Sequence, residues 1–306
     1  PRRGFETADG QFCYYDFVKP QSRILKGEPF IPASKSMAQR AILLAAMCEG
    51  QTKLYNFSIC ADTEAALTIA MQLGARISIE GNSITIEGHQ NIPENGLKVK
   101  DNILFAGESG LLARLCIPLA GLSREPVTVT GEKTLLSRRI SEHRGALKRI
   151  GLKIEYTDRD FLPVTVSGGL KGANLKLNGT HGSQMISGMM LALSQCAAES
   201  VLHIEHLTSA PYLDLTATVG SYFGLKDPSF PEDPQDDTRT YFIEGCQKFK
   251  PVRGMELEKD WSSAAFFLVA GAMMGNITIS GLKAGSEQAD SVIYDFLDQC
   301  HVDIVR

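Results

Sequence analysis

A unit of alternating helix and strand signals recurs four times along the 306 residues of this chain, its starts separated by roughly 73 to 80 positions. Each unit reads as a helix opened by Ser or Gly, a short alternating strand, a polar loop, a second helix, and a further strand or hairpin. The first has a helix from about Ser36, a strand over 52–56, a second helix over 62–73, then Gly74 and strands over 76–79 and 83–86. The second opens at Ser109-Gly110 and continues with a strand over 127–130, a helix over 141–150, Gly151, and strands over 153–156 and 164–166. The third opens at Gly182-Ser183, with a strand over 201–204 and a helix over 214–223. The fourth opens at Ser262-Ser263, with a strand over 277–279 and a helix over 290–299. Period-2 strands mixed with period-3.6 helices predict an α/β (α+β) fold of repeated βαβαββ units, each a packing unit with one covered sheet face. The Pro- and Asp-rich loop 226–239 reads as a solvated insertion in the third unit, because the strand 241–243 follows it.

The bulk numbers remove several function classes. A net charge of −4 provides no overall field for nucleic acid, so any anion binding is local. The longest apolar run, 266–275, is too short to span a bilayer, and residues 1–6 carry no secretory signal. The seven cysteines (13, 48, 60, 116, 196, 246 and 300) form no C-x-x-C pair and no His/Cys ligand spacing. The expectation is a cytoplasmic protein with reduced thiols, no disulfide framework, no metal and no cofactor. The first residue is Pro, and the fourth unit stops where the others continue, so both ends look cut from a longer protein.

The first unit opens on Pro32-Ala33-Ser34-Lys35-Ser36-Met37-Ala38-Gln39-Arg40. Ser34 reads as an N-cap and Lys35 as the first helical residue, while Ser36 and Arg40 share a face. Free backbone N–H groups, a positive helix end, a lysine, a hydroxyl and an arginine in one small volume suit a phosphate or carboxylate. The plainer alternative is a capped helix with two solvated cations.

With these residues, the chain resembles the 5-enolpyruvylshikimate-3-phosphate synthase (3-phosphoshikimate 1-carboxyvinyltransferase) family. The likeness rests on Ser34-Lys35-Ser36-x-x-x-Arg40, Gly107-Glu108-Ser109-Gly110-x-x-x-Arg114, Thr130-Gly131-Glu132 and Arg138-Arg139-Ile140. It continues through Gly182-Ser183-Gln184, Ser209-Ala210-Pro211-Tyr212-Leu213-Asp214 and Asp260-Trp261-Ser262-Ser263-Ala264. The order is kept from about Arg23 to Arg306. The resemblance implies an enolpyruvyl-transferase-like fold of six units in two globules, of which about four are here. Residues 31–249 would form the first globule, and 1–30 plus 250–306 an incomplete second one.

The implied reaction is a transferase step of the shikimate pathway, in aromatic amino-acid biosynthesis. The enolpyruvyl group of phosphoenolpyruvate passes to the 5-hydroxyl of shikimate 3-phosphate, and phosphate leaves. Carried over by position, Lys35 would be catalytic and touch both substrates. Ser36, Arg40, Ser183, Gln184, Ser209 and Tyr212 would hold shikimate 3-phosphate. Gly110, Arg138 and Gln184 would join Lys35 on phosphoenolpyruvate. Without the resemblance, Ser183, Ser209 and Ser262 read as caps, Tyr212 as a half-buried core phenol and Arg138 as a solvated cation. Asp260 reads as a cap. The family's acid/base carboxylates, a lysine and two further arginines would lie beyond residue 306. The expectation is therefore that this chain alone is inactive, that its first globule binds shikimate 3-phosphate, and that the full-length protein is a monomer. No nucleic acid or membrane partner is implied.

Three positions depart from the family pattern. Glu108 stands for Asn, Leu111 for Thr, and Gly182 for the first Ser of Ser-Ser-Gln. A carboxylate beside bound phosphate is repulsive unless a cation neutralises it, and Arg114 or Lys133 could do so. On that reading, Glu108→Asn in a complete enzyme lowers the Michaelis constant for phosphoenolpyruvate. Two alternatives stay open. A UDP-N-acetylglucosamine enolpyruvyl transferase would need Lys-Asn at Lys35-Ser36 and a reactive loop cysteine, whereas Cys116 reads as buried. A shikimate-phosphate-binding pseudoenzyme would explain Glu108 and Leu111.

Overall fold

Three sheets built on one plan surround three buried helices. The computed structural model describes residues 3–6, 12–15, 24–228 and 238–304; most of the loop 226–239 and of residues 1–22 lies outside these. Strands β1 (Arg3–Glu6) and β2 (Phe12–Tyr15) pair antiparallel, and β3 (Leu25–Gly27) follows. The first unit contains α1 (Lys35–Ala46), β4 (Glu49–Tyr55), α2 (Ala61–Gln72), β5 (Arg76–Glu80) and β6 (Ser83–His89), with the short α3 (Ile92–Asn95) after it. The second contains β7 (Ile103–Phe105), α4 (Gly110–Ala120), β8 (Val127–Thr130), α5 (Arg144–Arg149), β9 (Lys153–Asp158) and β10 (Phe161–Ser167). The third contains β11 (Asn174–Asn178), α6 (Gln184–Leu193), β12 (Ser200–Glu205), α7 (Ala210–Tyr222) and β13 (Arg239–Ile243). Then come β14 (Met255–Glu256), α8 (Trp261–Met274), β15 (Gly275–Ile277) and α9 (Ile293–Gln299).

Strand orders are β14-β4-β6-β5, β7-β8-β10-β9 and β11-β12-β13. Each sheet holds one parallel pair: β14 with β4, β7 with β8, and β11 with β12. In the second and third, a buried helix makes the crossover between the parallel strands. The first borrows its partner strand from 200 residues downstream, and β3 in turn pairs parallel with β15 beside α8. The strand at 255–256, expected with the second globule, therefore hydrogen-bonds within the first region. The two crossing segments run antiparallel through an Ala33–Lys259 bridge, with Ser34 N donating to Glu258 O at 2.8 Å and Asp260 N to Pro32 O at 2.9 Å.

Strand β7 escapes a reading by alternation because it is only three residues long, whereas β11 carries the period-2 signal in Leu175 and Leu177 and is not among the strands expected from the sequence. Helix α5 is shorter than expected because His143, at φ 59°, adopts a left-handed conformation just before it. Helix α7 begins four residues before the expected 214, with Pro211 in its first turn, where a missing N–H costs no helical bond.

One core cluster joins the three units. Helices α4 and α6 are apolar on every face and buried almost throughout, as helices surrounded by sheets must be. Helix α8 is equally apolar, yet only Trp261 and Ala264 in it are buried among the described residues. No described helix is long and apolar enough to cross a membrane.

Candidate active site

The first turn of α1 is built as the sequence predicts. Ser34 Oγ accepts from Met37 N at 3.4 Å, capping the helix. Lys35 N donates to Asp260 Oδ2 at 3.3 Å, and Asp260 Oδ1 accepts from Ser263 N at 2.8 Å. Asp260 is thus the cap of α8 and also reaches the mouth of α1. Lys35 Nζ lies 3.4 Å from Asp62 Oδ2 and remains half exposed.

Arg40 corrects the picture of two solvated cations, since it is only 1% exposed. Its Nε donates to Thr216 Oγ1 at 2.8 Å, Nη1 to Ser36 O at 2.8 Å and Nη2 to Tyr212 O at 3.3 Å. Thr216 Oγ1 lies 2.9 Å from Ser187 Oγ, so one network ties α1 to α7 and α6. No carboxylate among the described residues comes within ion-pair distance of Arg40. Burial lowers its pKa to about 10, which leaves it cationic at neutral pH. A buried, hydrogen-bonded guanidinium without a counter-ion favours an anion nearby.

The mouth of α4 meets that of α1. Ser109 Oγ caps α4 through Leu112 N at 3.2 Å and donates to Gln39 Oε1 at 2.5 Å, and Gln39 Nε2 returns to Lys35 O at 3.0 Å. A Cβ at Gly110 would lie 3.2 Å from Arg114 Nη1, 3.6 Å from Arg138 Nη1 and 3.9 Å from Gln184 Oε1. Gly110, Arg138 and Gln184, far apart in sequence, thus converge, and glycine keeps the space between them open. Arg138 is exposed and has no carboxylate partner among the described residues; Thr134 Oγ1 accepts from its Nη2 at 3.5 Å.

The partner of Glu108 is Lys133, whose Nζ lies 3.3 Å from Oε2. Thr134 donates to Oε1 from Oγ1 at 3.0 Å and from N at 3.4 Å. The Thr134 hydroxyl first, then Lys133, hold the Glu108 carboxyl below the usual carboxylate range. Arg114, the other partner considered, is taken by Glu142 Oε1 and by Arg139 O, both at 2.6 Å. Leu111 turns into the core. Gly182 has a structural reason to be glycine, because its φ is 90° and any side chain there would be strained.

Ser183 and Ser209 occupy the N-cap positions of α6 and α7, but neither side chain makes the capping bond expected of it. Ser262 does not cap either; its hydroxyl donates to Asp290, which also accepts from Tyr212 OH at 3.4 Å. Burial first, then Asp290, raises the Tyr212 pKa. Among the described residues the side chains of Ser36, Ser183, Gln184 and Ser209 have no hydrogen-bond partner at the mouths of α1, α6 and α7, and Ser183 is buried there. Thr216, Ser187, Asp62 and Asp290 belong to this network and were not picked out by sequence reasoning. The signal for Thr216 and Ser187 was a polar residue one turn after Tyr212 and Ser183 on an otherwise buried helix face. Cys116 is buried as expected, with its thiol pushed up to about 12, so it supplies no nucleophile.

A cavity of about 1230 Å³ lies elsewhere, beneath α8 and α9. Trp261, Leu268, Ile277 and Leu297 line it together with Asp295, Asp303 and His301, and among the described residues no Lys or Arg does. That lining does not suit an anionic ligand.

The family model for EPSP synthase (3-phosphoshikimate 1-carboxyvinyltransferase) matches residues 19–306. A 3-phosphoshikimate 1-carboxyvinyltransferase of Clostridium kluyveri is 33% identical over 283 residues, covering 92% of this chain and 63% of the relative. One from Actinobacillus succinogenes is 30% identical over 293 residues, covering 92% and 65%. A solved structure of EPSP synthase from Acinetobacter baumannii superposes with a TM-score of 0.75 at 25% identity, covering 92% of this chain and 60% of that one. The chain therefore spans just under two thirds of the length of the curated relatives it matches. It belongs to the EPSP synthase family.

Proposed function

We propose that this chain carries the substrate-anion half of an enolpyruvyl transfer from phosphoenolpyruvate to the 5-hydroxyl of shikimate 3-phosphate, with phosphate as leaving group. The observation that carries this reading is the convergence of Arg138 and Gln184 over Gly110, beside helix mouths whose Ser36, Ser183 and Ser209 hydroxyls are uncommitted. Each substrate bears a phosphate and a carboxylate, and fixed donors at helix N-termini match such groups without reorganisation. In this reading Arg138, Lys35, Gln184 and the open backbone at Gly110 grip phosphoenolpyruvate. Ser36, Arg40, Ser183, Gln184, Ser209 and Tyr212 orient shikimate 3-phosphate, Arg40 through the two N–H groups its internal bonds leave over. Lys35 touches both.

The carboxylates near these mouths are already engaged: Asp62 by Lys35, Glu108 by Lys133, Glu142 by Arg114, Asp260 by two helix N-termini, and Asp290 by Tyr212 and Ser262. General acid–base transfer needs a group free to exchange a proton at the reacting atoms. The 306 residues alone accordingly bind and do not turn over. Residues 31–249 act as the first globule of three units, and 1–30 with 250–306 contribute to a second, in a cytoplasmic protein that works as a monomer.

Titrating the purified chain with shikimate 3-phosphate, then adding phosphoenolpyruvate and assaying phosphate release, tests the reading. Saturable binding without release is expected. No binding overturns the assignment, release overturns the proton-transfer argument, and a response only to a UDP-sugar moves the substrate class.

A further inference from the structure

We infer that Glu108 is a positioning residue that sets the reach of Arg138. The loop after β7 and the loop after β8 run side by side. Ala106 N donates to Thr130 O at 2.8 Å and Glu132 N to Gly107 O at 2.8 Å, and a Cβ on Gly131 would meet Gly107 O at 2.6 Å. Glu108 closes the open end of this pairing. One carboxylate oxygen takes the backbone N–H and hydroxyl of Thr134, and the other takes Lys133 Nζ.

Thr134 is the second residue of the 3-10 turn Lys133–Ser137 that delivers Arg138, and its hydroxyl oxygen accepts from Arg138 Nη2 at 3.5 Å. Carboxylate, threonine hydroxyl and guanidinium therefore form a chain of three groups, ending 3.6 Å from the space above Gly110. Lys133 itself sits at φ 47°, a conformation a lysine holds only when its surroundings fix it, and the Glu108 bond is one such restraint.

The negative charge facing the proposed phosphoenolpyruvate site is thus spent on the loop that brings a cation to it. This deepens the proposed function and rests on it for the identity of the ligand. It also reverses the sign expected from charge repulsion: Asn, one methylene shorter, cannot hold Thr134, so Glu108→Asn weakens phosphoenolpyruvate binding.

The test uses the whole chain in four forms: wild type, Glu108→Ala, Glu108→Gln and Thr134→Val. Amide hydrogen exchange is read at residues 132–138, and Kd for phosphoenolpyruvate is measured with shikimate 3-phosphate present. Glu108→Ala and Thr134→Val are expected to raise that Kd about tenfold and to speed exchange at 132–138, while Kd for shikimate 3-phosphate changes less than about twofold. Glu108→Gln, which keeps the acceptor for Thr134, should recover most of the loss, and the Ala/Val double variant should be no worse than either single one. Unchanged exchange in Glu108→Ala overturns the clamp whatever the ligand. Faster exchange with unchanged Kd for phosphoenolpyruvate overturns its role in positioning Arg138. If wild type binds neither substrate, the proposed function fails, and the exchange data still judge the clamp.

Discussion

Helices α4 and α8 have nearly the same character and opposite surroundings. Both are apolar on every face, both open on a side-chain cap (Ser109 and Asp260), and both lead into a short strand region. Around α4, the sister helix α6 and strands β8 and β10 complete the packing, and Leu112 is 0% exposed. Around α8, Phe266 is 79% and Met273 76% exposed among the described residues. Apolar character on all faces describes a helix made for an interior, and only one of these two has its interior here. The same contrast extends to chemistry. Cations and free hydroxyls gather at the mouths of α1, α4 and α6, whereas α8 and α9 overlie a cavity with two aspartates, His301 and, among the described residues, no lysine or arginine.

Paired truncations attack this comparison most strongly. Leu112→Ala should cost about 2–5 kcal/mol in chemical denaturation, because it leaves a cavity in a closed core. Phe266→Ala should change stability by less than about 0.5 kcal/mol, since the ring is already in water. Equal losses would show that α8 is as well covered as α4.

A smaller effect separates binding from packing within the first region. Arg138→Ala should leave the denaturation midpoint unchanged and raise Kd for phosphoenolpyruvate about tenfold, because an exposed fork without a carboxylate partner among the described residues stabilises a ligand more than the fold. A shift in the midpoint with unchanged affinity would make Arg138 a structural residue.

The smallest effect concerns the joint between the two regions. Burial tends to raise the Glu258 pKa, but bonds from Ser286, Lys283 and Gln288 outweigh it and hold the carboxyl below its usual value. A depressed folded pKa contributes stability that is fully present above the unfolded value and is lost as pH falls through the folded one. Acidification from about pH 4 downward should therefore loosen residues 283–288 from the crossing segment. Exchange at those amides should rise in acid in wild type and be high already at neutral pH in Glu258→Gln. A flat wild-type profile would remove Glu258 from the joint.

How much of this the residues announced depended on range. The capping of α1 by Ser34, of α4 by Ser109 and of α8 by Asp260 was legible, because an N-cap acts within three residues. The convergence of Gly110, Arg138 and Gln184 followed from the family resemblance alone, since no local pattern brings residues 28 and 74 positions apart together. The burial of Arg40 was not legible. A charged residue six positions after the cap Ser34 looks amphipathic, and only the packing of α7 against α1, with Thr216 as acceptor, makes its burial tolerable. The exchange of β3 and β14 between regions was not legible either. A two-residue strand has no periodicity, and its partner is fixed by topology rather than by its own side chains.

Backbone hydrogen exchange with and without shikimate 3-phosphate locates the ligand most directly. The account predicts slowed exchange in the first turns of α1, α6 and α7, around residues 35–37, 184–187 and 210–212, with the cavity beneath α8 and α9 unchanged. Protection confined to residues 261–304, or none at the three mouths under saturating ligand, would contradict it.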